Sequence, residues 1–293
     1  MRILITGVGG NVGRYIANGL AHSEHEIIGI YRNKIPKNVN YKLVRADISD
    51  SESLLQLQNI DMVIHIASAL SGSTKKLIRD NIKVTENLVC YAERFNIKRF
   101  IYISTVSVYG NVEGELDENC DIINPECYGM TKYLSECLVK ESYVPEKLII
   151  QLPRMLGPFV DMENTQGSGF LTMANKIIHG EDVVCYIPDV KYNNYLHVSE
   201  LEKFIRQIMI KAEWHDITTL LLGAKERLTM LEILQIMKAE IGSKSQINVG
   251  RSNTLPKCSI INVDAATKAG FYPCSADDML KRFIREVYQN ANC

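Results

Sequence analysis

The amino-acid sequence predicts a doubly wound α/β fold: a parallel sheet with helices on both faces, extended by a smaller C-terminal α+β lobe. Three observations predict it. A glycine cluster at Gly7, Gly9 and Gly10 separates a short apolar run from an amphipathic stretch, as where a strand turns tightly into a helix. Residues 62–66 are apolar without alternation, as a strand covered on both faces must be. Short apolar runs then alternate with helical periodicity in βα units as far as Leu152.

Taken in order, the first strand spans 1–6 and the first helix 11–21, where Val12, Tyr15, Ile16 and Leu20 recur at helical spacing. Strands follow at 26–31, 42–44 and 62–66. A long helix is expected over 75–95, a strand at 99–103, a helix over 128–142 and a strand at 148–152. Beyond Gly157 the regularity fades. Residues 158–169 read as loop, 170–178 as helix, and 182–187 and 194–197 as short strands. Helices are expected over 201–211, 228–241 and 276–288, with a strand at 218–222. The chain thus divides into an N-terminal part, 1–157, to which segments near 194–222 return, and a lobe formed mostly by 158–293.

A chain of 293 residues with 46% hydrophobic side chains can bury a large core. Its 33 basic and 34 acidic residues are interspersed, which excludes the broad basic surface needed for nucleic acid or an anionic membrane. Eight cysteines show neither the CxxC pairs of a zinc site nor a disulfide framework, and the histidines have no ligand spacing, so no metal is expected. No run approaches the roughly 18 apolar residues of a membrane span, and no basic-then-apolar leader precedes the first strand. The expectation is a cytoplasmic protein with reduced thiols.

Gly7, Gly10 and Gly13, with Asn11 and Val12 between the last two, make a GxxGxxG turn. Its backbone N–H groups and the helix N-terminus behind it suit a pyrophosphate. The end of the second strand would then meet an adenosine ribose, where a carboxylate favours NAD. The chain has Tyr31-Arg32-Asn33 there. Arg32 could hold a 2′-phosphate, which favours NADP over NAD, or it could stack on the adenine.

Tyr128 and Lys132 lie four apart on an expected helix, so a phenol and an ammonium share one face. A cation beside a phenol lowers its pKa from about 10 and fits it for proton transfer near neutral pH. On spacing alone, a packed tyrosine and a solvated lysine fit as well.

The ordered series resembles the extended short-chain dehydrogenase/reductase family, the NAD-dependent epimerase/dehydratase group that includes nucleotide-sugar epimerases, dehydratases and 4-ketoreductases. The marks are TGVGGNVG at 6–13, Ala46-Asp47, the VIHIAS segment at 63–68, Asn81, the ISTVSVYG segment at 103–110, Tyr128 with Lys132, Gly157-Pro158, and YLHV at 195–198. They span nearly the whole chain. The resemblance implies a Rossmann fold in the first part and a substrate-binding lobe in the second. It implies Thr105 as a hydroxyl on the reacting oxygen, Tyr128 as proton donor or acceptor, and Lys132 on the nicotinamide ribose. Asp47 and Ile48 would flank the adenine, and Ala67 and Ser68 the nicotinamide pocket. Asn81 would stand near the active site, either in the chemistry or as a helix-stabilising bond. His65 and His197 are read as structural.

Within that family, dehydratases carry an acidic pair directly after the catalytic threonine; Val106 and Ser107 stand there and cannot act as acids. Ser107 is instead a candidate substrate contact. Arg154 occupies a position where relatives often have a sugar-nucleotide asparagine, and Asn193 one where they often have an arginine. Arg154 could take over the diphosphate contact or serve in packing. Arg32 leans the reading towards an NADP-preferring reductase of a 4-keto nucleotide sugar. The alternatives are a 4-epimerase that retains NAD and a non-catalytic dinucleotide sensor. The resemblance also implies a homodimer through helices 75–95 and 128–142, with Leu77, Val84, Leu88, Leu134 and Leu138 as its apolar positions.

Overall fold

Seven parallel strands make the central sheet. In the computed structural model, which describes residues 1–158, 169–214, 219–250 and 259–291, they are β1 (Arg2–Thr6), β2 (Glu26–Tyr31), β3 (Lys42–Arg45), β4 (Met62–His65), β5 (Arg99–Thr105), β6 (Glu146–Leu152) and β7 (Thr219–Leu221). Their order across the sheet is β7-β6-β5-β4-β1-β2-β3. The chain therefore builds outward from β1 in one direction and from β4 in the other. Between those two strands lies the crevice where doubly wound sheets bind their ligands.

Both faces of the sheet are covered, as the unalternating strands required. Ile3, Ile5, Met62 and Ile64 belong to one core with Ile16 and Leu20 of α1 (Asn11–Leu20) and Leu201, Phe204 and Ile205 of a later helix, Val198–Met209. Leu4, Val63, Phe100 and Tyr102 belong to the other. Each such side chain contributes roughly 1.5–3 kcal/mol by leaving water.

The second face is closed by α2 and α3. The regular helix expected over 75–95 is α2, but it is α-helical only over Thr74–Leu77 and Val84–Arg94, with a π turn at Ile78–Lys83 between. The π turn lets adjacent residues Asp80 and Asn81 both bury their side chains against different neighbours. The next helix, α3, runs Cys127–Glu141. Val84 and Leu88 are buried in the core that includes the chain's own sheet, and Leu77 is buried too, so none is open to a partner, whereas Leu134 is exposed, with Ile78 and Met130.

The remaining helices are α4 (Gly169–Ile178), α5 (Val198–Met209), α6 (Met230–Glu240) and α7 (Ala276–Ala291), with a short helix at Asp264–Lys268. Strand pairs of two or three residues tie distant segments together: Arg154–Leu156 with Tyr195–His197, Val183–Cys185 with Ile247–Val249, Gly114–Leu116 with Ser259–Ile261, and Lys191–Tyr192 with Leu228–Thr229. Leu228 and Thr229, expected as helix, are strand; Thr229 then caps α6 in a reciprocal box with Glu232. Of the loop expected at 158–169, residues 159–168 lie outside the described residues, as does Thr218. Among the described residues no helix is long and apolar enough to cross a membrane.

Candidate active site

The crevice is walled by the turns after β1 and β4. Gly7 has φ +78, and a Cβ there would stand 2.6 Å from the Ala67 nitrogen; one on Gly13 would stand 2.3 Å from the Gly7 oxygen. These two glycines are demanded by the protein's own backbone. Gly10 differs: a Cβ on it would meet nothing nearer than 3.4 Å. Gly10 is also the N-cap of α1, and neither a side-chain cap nor an acid in the first turn meets the first amides of that helix. That is a fit for a dinucleotide pyrophosphate. The Asn11 side chain accepts from Arg14 at 3.3 Å, and Val12 packs on the core.

Behind the turns runs a buried polar chain. The Thr6 hydroxyl accepts from the Ile66 and Ala67 amides, both at 3.1 Å, and contacts His65 Nδ1 at 2.7 Å. His65 Nε2 contacts Thr85 at 3.0 Å, and Thr85 donates to the Asn81 carbonyl at 2.7 Å. With Thr85 donating onward, His65 must donate from Nε2 and accept at Nδ1, the neutral tautomer. Burial pushes its pKa down to about 3, aided by the Lys132 charge. His65 is thus structural, as read from the sequence.

Asn81 completes the chain. Its Oδ1 accepts from the Ala69 amide at 2.7 Å, and its Nδ2 donates to the Ala69 carbonyl at 3.1 Å and to Thr131 at 3.0 Å. Asn81 therefore fixes the strand β4 exit to the helix turn that carries Tyr128 and Lys132. All its side-chain bonding is internal, which places it under the site.

Tyr128 lies between the two walls. Burial pushes the phenol pKa up to about 12, and the neighbouring hydroxyls of Ser68, on the β4 exit, and Thr105, at the end of β5, oppose that rise. The expected lowering by Lys132 is not what the structure shows. The Lys132 ammonium donates to the Ile103 carbonyl at 2.7 Å and sits 4.1 Å from the Tyr102 ring centroid, with its pKa lowered to about 7 by burial. Glu136, one turn on and itself buried, opposes that fall; it accepts from Gln151 at 3.0 and 3.1 Å. Gly129 presses α3 onto the site, since a Cβ there would stand 2.1 Å from the Ser107 carbonyl oxygen.

Thr105 caps the single turn Val106–Tyr109, accepting from the Ser107 amide at 3.2 Å and donating to its hydroxyl at 3.2 Å. Ser107 is exposed. Ile48 turns into the core and leaves Asp47 at the surface, where it accepts from Ser49. Arg32 is engaged with Asp80 at 3.1 Å and lies 4.0 Å from Asp47. Arg154 stands two residues past Leu152, the register partner of Thr105, with its guanidinium 5.5 Å from the Phe170 ring centroid. Asn193 is buried and bonds Ala224 and Ile261, so it braces the lobe. Sequence reading missed Thr85, Thr131, Asp80 and Glu136, whose polarity within helical periods carries no local sign of a partner far along the chain.

A sequence model of the NAD dependent epimerase/dehydratase family matches residues 3–215. The chain belongs to that family. It is an enzyme family, and this member carries the doubly wound sheet. The chain is 21% identical to an uncharacterized UDP-glucose epimerase of Bacillus subtilis, over 85% of this chain and 84% of the relative. It is 24% identical to the mouse dTDP-D-glucose 4,6-dehydratase, over 84% and 75%. The fold matches that of a UDP-glucuronic acid 4-epimerase from Bacillus cereus in complex with NAD, with a TM-score of 0.81, 22% identity and 99% of each chain covered. A UDP-glucose 4-epimerase from Thermotoga maritima gives 0.83, at 20% identity, over 99% of this family member and all (100%) of that chain. The reductase expectation and the NADP preference find no specific support in these likenesses.

Proposed function

We propose that this family member is a nucleotide-sugar 4-epimerase that works through a retained NAD. The observation that carries the reading is Tyr128 with the hydroxyls of Ser68 and Thr105 near its phenol, on a fold whose α1 N-terminus has no side-chain cap and with Lys132 buried. Relatives named as 4-epimerases support the reaction, and one is described in complex with NAD. A dehydratase would need acids after Thr105, where Val106 and Ser107 stand. The reductase reading rested on Arg32, which is engaged by Asp80.

In this reading the first amides of α1 hold the pyrophosphate, and Asp47 lies at the adenosine end. Bound NAD supplies the hydride acceptor and donor. Tyr128 takes the proton from the sugar 4-hydroxyl and returns it. Ser68 donates to the phenolate, and Thr105, turning its one O–H from Ser107, donates to the reacting oxygen, as preorganised donors do. Lys132, which donates to the Ile103 carbonyl, has further N–H donors for the ribose hydroxyls. The sugar nucleotide lies between the sheet and the lobe after Gly157, with Arg154 on its diphosphate and Ser107 on the sugar. Two copies pair through the exposed Ile78, Met130 and Leu134 face, which light scattering tests.

Incubation with UDP-glucose, UDP-galactose and their glucuronic acid and N-acetyl forms should give 4-epimers with no net change in cofactor absorbance. Stoichiometric oxidation of added NADPH by a 4-keto sugar would sink the epimerase in favour of a reductase.

A further inference from the structure

Two guanidinium groups meet one buried carboxylate beside the end of β2. Asp80 is 7% exposed, and its Oδ1 accepts from Arg32 Nη1 at 3.1 Å and from Arg79 Nε at 2.8 Å. Asp47 Oδ1 lies 4.0 Å from the same Arg32 nitrogen. The Arg32 backbone is also fixed, its carbonyl accepting from Arg45 Nε at 3.3 Å. The Arg79 bond foremost, and then Arg32, hold the Asp80 carboxyl below the usual carboxylate range. It is therefore ionised throughout the neutral region.

Arg32 thus differs from an open arginine at a strand end. The corner sets the carboxylates of Asp47 and Asp80 against Arg32, with Arg79 on Asp80 and Arg45 on the Arg32 carbonyl. A phosphate monoester carries about −1.5 to −2 near neutral pH. A phosphate held on the other N–H groups of Arg32 must sit within a few ångströms of two carboxylates that repel it. A ribose 2′-hydroxyl makes no such demand. It needs an acceptor, and the oxygens of Asp47 and Asp80 are acceptors.

We propose that Asp80 sets the cofactor choice: by holding Arg32, it makes this corner accept a free ribose 2′-hydroxyl and reject a 2′-phosphate. The proposal rests on the reading above that the adenosine ribose lies at the end of β2. Asp80 acts through Arg32 and is a selectivity-determining residue, remote from the reacting atoms.

Isothermal titration calorimetry of the purified full chain, freed of copurified nucleotide, with NADH and NADPH tests it. The unaltered chain should bind NADH at least about tenfold more tightly than NADPH, as a site that opposes the extra charge must. Asp80→Asn, nearly isosteric, should tighten NADPH about tenfold and leave NADH within about threefold, because it frees a charge-assisted donor. Adding Arg32→Ala to Asp80→Asn should erase that gain. Arg32→Ala alone, at a side chain 40% exposed, should move either affinity by less than about threefold. Tighter NADPH than NADH in the unaltered chain overturns the proposal, as does a tenfold loss of NADPH alone in Arg32→Ala. Equal shifts of both nucleotides in Asp80→Asn overturn it too. If neither nucleotide binds the unaltered chain, the functional reading falls as well; tight binding of both without discrimination overturns only the role of Asp80.

Discussion

The floor of the crevice and its rim are built on different terms. On the floor, Thr6, His65, Thr85, Asn81 and Thr131 are each hydrogen-bonded within the fold, and Lys132 is 1% exposed. At the rim, Ser107 and Arg154 are exposed, and Arg32 is 40% exposed with its charge met by acids. A satisfied buried network holds one geometry, because any departure leaves a donor or acceptor unpaired at roughly 1–3 kcal/mol. Rim groups can change partners at little cost to the fold. In the proposed function the floor holds the chemistry and the rim the choice of ligand.

That contrast can be broken by substitution. Tyr128→Phe should lower turnover by about 10²–10⁴, the usual share of a positioned acid or base, and leave NADH affinity unchanged by calorimetry. Retained turnover would remove Tyr128 from its role. Gly129→Ala forces a Cβ onto the Ser107 carbonyl and should move α3 away from Thr105. A misplacement of that size should cost on the order of 10²-fold in kcat with the fold kept, read by circular dichroism beside the assay. Asn81→Ala leaves the Ala69 amide and Thr131 short of partners and should lower the unfolding free energy by about 1–3 kcal/mol in urea melts. An unaltered midpoint would mean that the β4 exit is held by other bonds.

The floor also predicts a pH response. His65 has its folded pKa depressed to about 3, while the unfolded chain has the ordinary value near 6.5. Between those values the unfolded state binds the extra proton, so stability falls as pH falls from about 6.5 towards 3 and is fully present above that window. The slope from this one group approaches about 1.4 kcal/mol per pH unit, and His65→Asn should remove that part of the dependence in paired urea melts. At the rim the effect is smallest. Arg154→Ala should leave stability within about 0.5 kcal/mol and raise KM for the sugar nucleotide with kcat kept. A loss of kcat instead would place Arg154 with the floor.

Most of the fold was legible because it follows from periodicity: β2 spans Glu26–Tyr31 as expected from its apolar run, and the glycine turn falls between β1 and α1. The π turn in α2 was not, since Ile78–Lys83 has no glycine or proline to mark it. Of the two- and three-residue strands, Val183–Cys185 and Tyr195–His197 fall in runs read as strand, whereas Gly114–Leu116 and Ser259–Ile261 were missed because each is stabilised by a partner far along the chain. At the site, residue types announced the tyrosine, the lysine and the threonine. They did not announce that burial would outweigh the neighbouring hydroxyls in setting the Tyr128 pKa, or that Arg32 had a partner 48 residues away.

The surplus residue in α2 has one more consequence. Successive residues of an α-helix point about 100° apart, and a π turn relaxes that spacing. It allows Asp80 to reach Arg32 while Asn81 reaches Ala69 and Thr131. Loss of a single residue between 78 and 83 would restore the regular helix and turn one of the two contacts away. In a lineage of such chains, dinucleotide preference and tyrosine placement would then be inherited together through one indel, though they lie at opposite ends of the crevice.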